Sequence, residues 1–364
     1  MKNTYPSYYK DFICIADKCP DTCCDGWSIV IDSQSLARYK QTDGNFGKKL
    51  QSVITVDEDG DTVFRNVSGR CPFLLENGLC EMYISLGKDS LCKTCELFPR
   101  HITYFGARKE TGLSLSCPEA ARLIMQSENP ITFEESEEDG QIEPNSIDPA
   151  VYFTLLKARK TAINILQNRK YPFEQRVIAF LRFSQKLQQA IRHGDAAPEE
   201  ESGDYLPVEA KATRAKRAAD KHFDDLLALE KLRPKWNETL LKAKNLSADS
   251  FADFLRSACA FEYEAEHFAV YLVFRYFLTA AYDGDIITKA KFTAAAAITV
   301  SRIIAAVGYS EKANRVTAVQ RWSREVEHSA LNMQSLSRSI KKSRYYSPDN
   351  LINILSMNSK EKQT

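Results

Sequence analysis

The second half of the chain carries apolar residues at the spacing of an amphipathic helix. After Pro172, apolar side chains recur every three or four residues, at Phe173, Val177, Phe180, Leu181, Leu187 and Ile191. This period places them on one helix face, and proline is common where a helix begins. Similar patterns predict further helices at about 208–232, 249–282, 286–307 and 311–336.

The first third of the chain has only short periodic stretches between glycines and prolines. Residues 27–32 (WSIVID) and 62–67 (TVFRNV) alternate enough to predict short strands, with residues 57–61 as an acidic hairpin turn. Residues 126–149 contain eight acidic residues and no basic one. That composition predicts a linker or surface loop.

Together these patterns predict a mainly α fold with two parts. A cysteine-rich N-terminal metal-binding module with short strands, residues 1–125, is expected to pack on an all-α helical body, residues 150–364, with 126–149 as the acidic linker. At 364 residues the chain is long enough to bury a core without covalent cross-links. The fold therefore does not need the cysteines as disulfide cross-links, which favours a functional cysteine cluster.

Charge and hydropathy exclude two classes of partner. The chain has 49 basic and 48 acidic residues, so no overall positive field favours nucleic acid. Its longest apolar stretch, residues 268–282, is too short to span a bilayer and contains Arg275, which predicts a buried core helix and no membrane association. The polar first segment, MKNTYPSYYKDF, has no apolar signal region, so we expect a cytoplasmic protein.

Nine of the ten cysteines lie in the first third of the chain. In a reducing compartment such a cluster is more typical of a metal site than of disulfides. Adjacent Cys23 and Cys24 would point apart in extended backbone, which suggests different roles. Cys259 stands alone and is predicted on the apolar side of a helix. Some of the nine are expected to be buried apolar residues only, because one cluster uses four thiolates.

The identity of the metal follows less directly from the spacing. Structural zinc sites usually show two CxxC pairs, and this chain has one, Cys92–Cys95. Iron–sulfur clusters accept four thiolates at more varied spacings. Cys19 and Cys23 are three residues apart but Cys24 follows directly, so a CxxxCxxC motif is absent. Iron–sulfur is the preferred interpretation and zinc the alternative.

Four cysteine motifs in order resemble a known family. CPDTCCDGW, GRCPFLLENGLCEMYISLG, LCKTCELFPR and LSLSCPEAARLI look like the flagellin lysine-N-methylase (FliB) family, which is related to CxxxCC iron- or zinc-chelating proteins. The segment 321–333 (RWSREVEHSALNM) also resembles the C-terminal part of that family. The resemblance implies methyl transfer from S-adenosylmethionine to surface lysines of flagellin, and a 4Fe–4S cluster. Its ligands would be four of Cys19, Cys23, Cys24, Cys71, Cys80, Cys95 and Cys117; Cys14 and Cys92 fall outside this set.

Methylation of a lysine requires a neutral amine, whereas free lysine has a pKa of ~10.4. Glu327 and His328 are the candidate catalytic residues for removing or excluding that proton. The predicted helix would place Arg321, Glu325 and His328 on one face, with Asn332 continuing it. An exposed face of charge pairs is the competing interpretation of this segment.

The residues themselves do not reveal a methyl-donor site. No G-x-G-x-x-G motif follows a predicted strand, so a Rossmann-type pocket is not expected. We expect the donor between the cysteine module and the helical body, with residues 321–333 forming one wall. The alternative function is a non-catalytic iron- or zinc-chelating module.

Overall fold

The computed structural model describes residues 1–25, 29–58, 60–66, 69–139 and 147–361. The fold is mainly helical, as predicted. The strands are β1 (Lys2–Pro6), β2 (Ile54–Val56), β3 (Thr62–Phe64), β4 (Arg100–Phe105), β5 (Arg108–Leu113) and β6 (Phe133–Glu137). The helices of the N-terminal third are α1 (Ser33–Lys40), α2 (Gly44–Ser52), α3 (Glu81–Leu86), α4 (Lys93–Leu97) and α5 (Pro118–Gln126).

Eleven further helices follow in the described part of the second half. They are α6 (Pro149–Leu166), α7 (Phe173–His193), α8 (Ala212–Ala228), α9 (Trp236–Lys244), α10 (Ala248–Ala258), α11 (Glu262–Tyr276), α12 (Ala280–Asp283), α13 (Ile286–Val307), α14 (Lys312–Val326), α15 (Ala330–Lys342) and α16 (Pro348–Glu361).

Helix α13 lies at the centre of the helical body, in contact with α7, α9, α11 and α14. Its sequence is apolar around most of its circumference, and its alanine run lets neighbouring helices approach closely. It is long and apolar enough to cross a membrane by length and composition, but most of that apolar stretch is buried inside the structure. The prediction of a buried core helix in residues 268–282 is confirmed as far as Tyr276, where α11 ends; a 3-10 turn, Phe277–Thr279, then separates it from α12.

Two helices that were predicted to be continuous are interrupted in the structure. The run 249–282 divides into α10 and α11 at a 3-10 turn, Cys259–Phe261, and Cys259 is exposed rather than on an apolar face. The run 311–336 ends at Val326 and restarts at Ala330. Ser329 caps the new helix by accepting a hydrogen bond from the Asn332 backbone N–H at 3.2 Å.

A four-stranded sheet joins the start of the chain to the region before the helical body. Its order is β4-β5-β1-β6, with β1 parallel to β5 and antiparallel to β6. Strand β6 lies inside the acidic segment that composition predicted as a linker; residues 140–146 of that segment lie outside the described residues. Opposite charges explain an acidic strand here, since Lys109 Nζ lies 2.6 Å from the Glu138 carboxylate beside it.

The N-terminal third contributes to two separate cores. Phe12, Leu113 and helix α5 pack into the large core of the helical body. A smaller core is formed by residues between Ile29 and Cys95. Within it the acidic turn joins β2 to β3, so the predicted hairpin is present but its first strand is β2 rather than residues 27–32. Of that predicted strand, residues 29–32 form only an isolated bridge, Val30 to Val63, and Trp27, Asp59 and Val67 lie outside the described residues.

Candidate functional site

Five thiols lie in the small core of the cysteine-rich part. Cys71 and Cys92 are buried there, and Cys24, Cys80 and Cys95 pack against it. Backbone bonds hold the segments together: Cys71 N–H donates to Cys24 O at 2.9 Å, and the Thr94 hydroxyl donates to Val30 O at 2.7 Å. Four separate stretches of sequence therefore bring soft sulfur donors to one place.

The thiols contact each other as pairs. Cys92 Sγ lies 3.6 Å from Cys95 Sγ, and Cys23 Sγ lies 3.9 Å from Cys24 Sγ. The prediction that Cys23 and Cys24 point apart is wrong, because both residues lie in a turn rather than in extended backbone. Cys92, which the expected ligand set left out, is fully buried beside Cys95. The CxxC spacing of Cys92 and Cys95 was the sequence feature that indicated this pairing.

Two members of the expected ligand set lie apart from this core. Cys117 packs in the large core of the body, directly before α5. Cys19 follows a short 3-10 turn, and burial, followed by the charges of Asp21, Cys14 and Cys23, raises the pKa of its thiol. The seven predicted ligands therefore form two groups. The small core holds Cys24, Cys71, Cys80 and Cys95, whereas Cys19 and Cys117 lie apart from it, with Cys23 between the groups.

Burial favours the protonated form of two of these thiols in the absence of metal. It raises the pKa of Cys71 to about 11 and that of Cys117 to about 12. Within the described residues, no group of three or more His, Cys, Asp or Glu side chains stands at metal-coordinating spacing. The donor chemistry of the small core nevertheless fits a thiolate-bound iron–sulfur or zinc centre, since both favour sulfur ligands.

The loop that carries Cys23 and Cys24 is tied to the helical body by charge. Asp21 accepts hydrogen bonds from Arg233 at 2.6 Å, from Arg324 at 2.9 Å and from the Gln320 amide at 3.1 Å. Arg233 also donates to the Asp25 carboxylate at 2.7 Å. Charge-assisted bonds of this kind are stronger than neutral ones, so the two aspartates fix the loop on α14 and on the segment before α9.

Glu327 lies in a polar cluster immediately after α14. The Tyr276 hydroxyl donates to Glu327 Oε1 at 2.7 Å, and the Tyr271 hydroxyl lies 3.1 Å from the same oxygen. Arg275 completes the cluster: its Nη1 donates to the Tyr271 oxygen at 2.5 Å and its Nε lies 3.7 Å from Glu327 Oε1. The Glu327 side chain is fully buried, whereas that of Arg275 is 19% exposed, so solvent reaches the edge of the cluster.

Two histidines and a further tyrosine border this cluster. Burial, followed by the positive charges of Arg324 and Arg275, lowers the pKa of His328 to about 4. His101 on β4 packs over Gly112, where an added Cβ would approach its ring to 2.5 Å, and burial lowers its pKa well below the ordinary value. Tyr8 is buried beside Tyr271, and burial raises its pKa.

The structure corrects the expected arrangement around residues 321–333. Because the helix ends at Val326, Arg321, Glu325, His328 and Asn332 do not share one continuous helical face. Glu325 is buried rather than exposed; it accepts the Leu232 N–H at 2.9 Å, and burial raises its pKa to about 7. An exposed face of charge pairs does not describe this segment.

Glu327 and His328 lie where the cysteine-rich part meets the body. The Phe98 ring, close after Cys95, packs edge-on against His328 with the ring centroids 5.6 Å apart. A carboxylate, neutral imidazole and tyrosine hydroxyls at one partly accessible point can accept a proton and orient an amine. Sequence patterns did not identify Tyr271, Tyr276 or Arg275 as part of this site.

The fold and site define a class: a mainly helical protein whose thiol-rich part is anchored by ion pairs beside a tyrosine–carboxylate cluster. The chain matches the FliB lysine N-methylase C-terminal domain over residues 159–354, more than half of its length. The protein therefore belongs to the FliB lysine N-methylase family.

Individual relatives agree with this assignment. The flagellar biosynthetic protein FliU of Salmonella muenchen is 31% identical over 135 residues, which cover 34% of this chain and 76% of that protein. The lysine-N-methylases of Salmonella choleraesuis and Salmonella typhimurium are each 30% identical over 145 residues, 36% of this chain. The match spans only 34% of the length of each of these two proteins. No solved structure shows a significant match.

Proposed function

We propose that the protein is a cytoplasmic, S-adenosylmethionine-dependent protein-lysine N-methyltransferase that modifies flagellin. The family match and the relatives named lysine-N-methylase support the reaction class. The name of the Salmonella muenchen relative supports a flagellar substrate. Glu327, buried among tyrosine hydroxyls at the junction of the two parts of the chain, is the observation that carries the proposal.

The site has the groups that amine methylation requires. The ε-ammonium of a substrate lysine gives a proton to Glu327, which leaves the nitrogen lone pair free to attack. The hydroxyls of Tyr271 and Tyr276 hold the Glu327 carboxylate in place, and the Arg275 guanidinium lies over both rings, which shows that this pair of tyrosines accommodates a cation. His328 is neutral near pH 7 because its pKa is low, so it adds no charge that repels the incoming lysine.

The chemical step balances with the donor's sulfonium as the leaving group. The donor supplies an electrophilic methyl group: a nitrogen–carbon bond forms, the carbon–sulfur bond breaks, and sulfur keeps the electron pair as a neutral thioether. Glu327 retains the proton until solvent removes it past Arg275. Turnover should rise with pH, since the neutral fraction of a lysine with a pKa of ~10.4 increases tenfold per pH unit in this range.

The proposed iron–sulfur cluster, of the 4Fe–4S type, would be held by four thiolates of the small core. Cys24, Cys71, Cys80 and Cys95 are the first candidates, and Cys23 or Cys92 are the alternatives. Such a centre would fix the loop that Asp21 and Asp25 anchor, and so stabilise the N-terminal part. Protein purified without oxygen should be brown with iron and sulfide in equal amounts; a colourless protein with stoichiometric zinc would reject the cluster in favour of a structural zinc site.

The activity is tested by incubating the anaerobically purified protein with methyl-labelled S-adenosylmethionine and flagellin. We expect label on lysine side-chain nitrogens, located by mass spectrometry. Calorimetric titration of the donor into the same preparation measures binding independently of turnover. If metal-loaded protein neither binds the donor nor labels flagellin, the non-catalytic metal-chelating module is the better account.

A further inference from the structure

Arg324 connects the cysteine loop to the end of helix α14. Its Nη1 lies 2.9 Å from Asp21 Oδ2, and its Nη2 donates to the Asp25 backbone carbonyl. The residue is only 3% exposed, and among the described residues its Nε has no hydrogen-bond partner. The buried guanidinium is therefore held by the loop, on the two sides of Cys23 and Cys24.

The same turn of α14 leads directly to Glu327. Glu327 is three residues after Arg324, and its N–H donates to Ser323 O at 2.8 Å, which keeps it on the helix end. The amide of Asn332 donates to Glu325 O at 2.7 Å and closes the break before α15. A shift of this last turn must therefore change the distance between Glu327 and the tyrosines of α11.

Buried charge makes this connection strong. Removing one partner of a buried ion pair leaves the other charge uncompensated, which costs more than the loss of a surface contact. Asp21 is the only carboxylate among the described residues that forms a salt bridge with Arg324. The placement of α14's last turn should therefore depend on whether the loop presents Asp21.

We propose that Arg324 is a positioning residue that, through Asp21, couples the conformation of the Cys23–Cys24 loop to the placement of Glu327 against Tyr271 and Tyr276. The coupling follows from the contacts themselves. Its effect on turnover rests on the proposed function, whereas its effect on local structure does not.

The test compares two isosteric changes on the same loop, Asp21→Asn and Asp25→Asn. Both weaken a bond to Arg233, but only the first removes the carboxylate facing Arg324, since Arg324 meets Asp25 through its backbone carbonyl. An asparagine at position 21 would offer one oxygen to three donors and turn an NH₂ group toward a guanidinium. Hydrogen exchange, read by mass spectrometry on residues 326–333 of the full chain, reports the result.

We expect Asp21→Asn to accelerate exchange in residues 326–333 by about tenfold or more, and Asp25→Asn by less than about twofold. Arg324→Lys, which keeps the charge but cannot make both contacts, should give an intermediate rate and provides the test if Asp21→Asn fails to fold. Equal acceleration by the two asparagine variants, or rates within about twofold of the parent for both Asp21→Asn and Arg324→Lys, would overturn the coupling.

Turnover then separates this inference from the proposed function. With flagellin as substrate, Asp21→Asn should lower kcat by about tenfold with little change in KM, because Glu327 is displaced rather than substrate contacts removed. If exchange changes as expected but the parent protein has no methyltransferase activity, the coupling holds and the proposed function fails. If the parent is active and kcat is unchanged by Asp21→Asn, the positioning role is wrong.

Discussion

Replacing Glu327 by glutamine tests the proposed chemistry with the smallest change of shape. Glutamine keeps one oxygen for the Tyr276 hydroxyl, which lies 2.7 Å away, but it cannot accept a proton from an ammonium. Loss of a general base typically lowers the rate by about 10²–10⁴-fold, or roughly 3–5 kcal/mol of transition-state stabilisation. The decrease should appear in kcat, with KM for flagellin changed by less than about threefold.

The expected cost to folding is much smaller. Glu327→Gln leaves Arg275 without its carboxylate, but the Arg275 side chain is 19% exposed and water can solvate it. We expect a loss of about 1–2 kcal/mol, which lowers Tm by only a few degrees in a chain of this size. The assay pairs initial rates of methyl transfer with thermal unfolding on the same preparations.

Tyr276→Phe is the matched control. It removes the shortest hydrogen bond to Glu327 and leaves the carboxylate in place, so kcat should fall by about tenfold only. Unchanged kcat in Glu327→Gln at a preserved Tm would show that this carboxylate is not the base. A fall in kcat that tracks a collapse in Tm would show that its role is structural.

Three further tests examine the metal core, a titrating carboxyl and a buried ion pair. Cys71→Ser should lower bound metal and Tm together, while Cys259→Ser, at an exposed position, should change neither; equal Tm values would contradict coupling of metal to folding. The raised pKa of Glu325 means that the folded state favours its protonated form, so stability should fall as pH rises from about 4.5 to about 7, and Glu325→Gln should flatten that part of the Tm–pH curve. A curve of unchanged slope would mean that other groups dominate. Glu266→Gln should cost about 3–5 kcal/mol in chemical denaturation, because its fully buried carboxylate lies 2.6 Å from the buried Arg176 guanidinium; a loss below about 1 kcal/mol would refute the importance of that pair.

Local periodicity predicted the helical body well because a buried helix face repeats every three or four residues. Helix α7 begins at Phe173 directly after Pro172, and α13 has the predicted bounds. The break between α14 and α15 was missed because the apolar pattern continues across it. Ser329, an N-cap residue, was the local signal that a new helix starts.

Local sequence patterns do not reveal the contacts that assemble the site. Asp21 and Arg324 are 303 positions apart, and nothing in the sequence around either residue shows that the two charges meet in a partly buried ion pair. Composition likewise suggested a linker at residues 126–149, where basic neighbours stabilise β6 as a strand. In both cases, the Asp21–Arg324 contact and strand β6, the structure depends on charged residues that pair across a long distance in the sequence.

The site also depends on parts of the chain that the family match does not include. Glu327, Tyr271 and Tyr276 lie within residues 159–354, but the Leu115 N–H, 3.4 Å from the Tyr271 oxygen, and the thiol core come from the N-terminal third. Asp21, which holds the last turn of α14, also comes from there. The helical body supplies Glu327 and its tyrosines, and the cysteine-rich part supplies the groups that contact Arg324 and Tyr271. Neither part of the chain therefore forms the proposed site by itself.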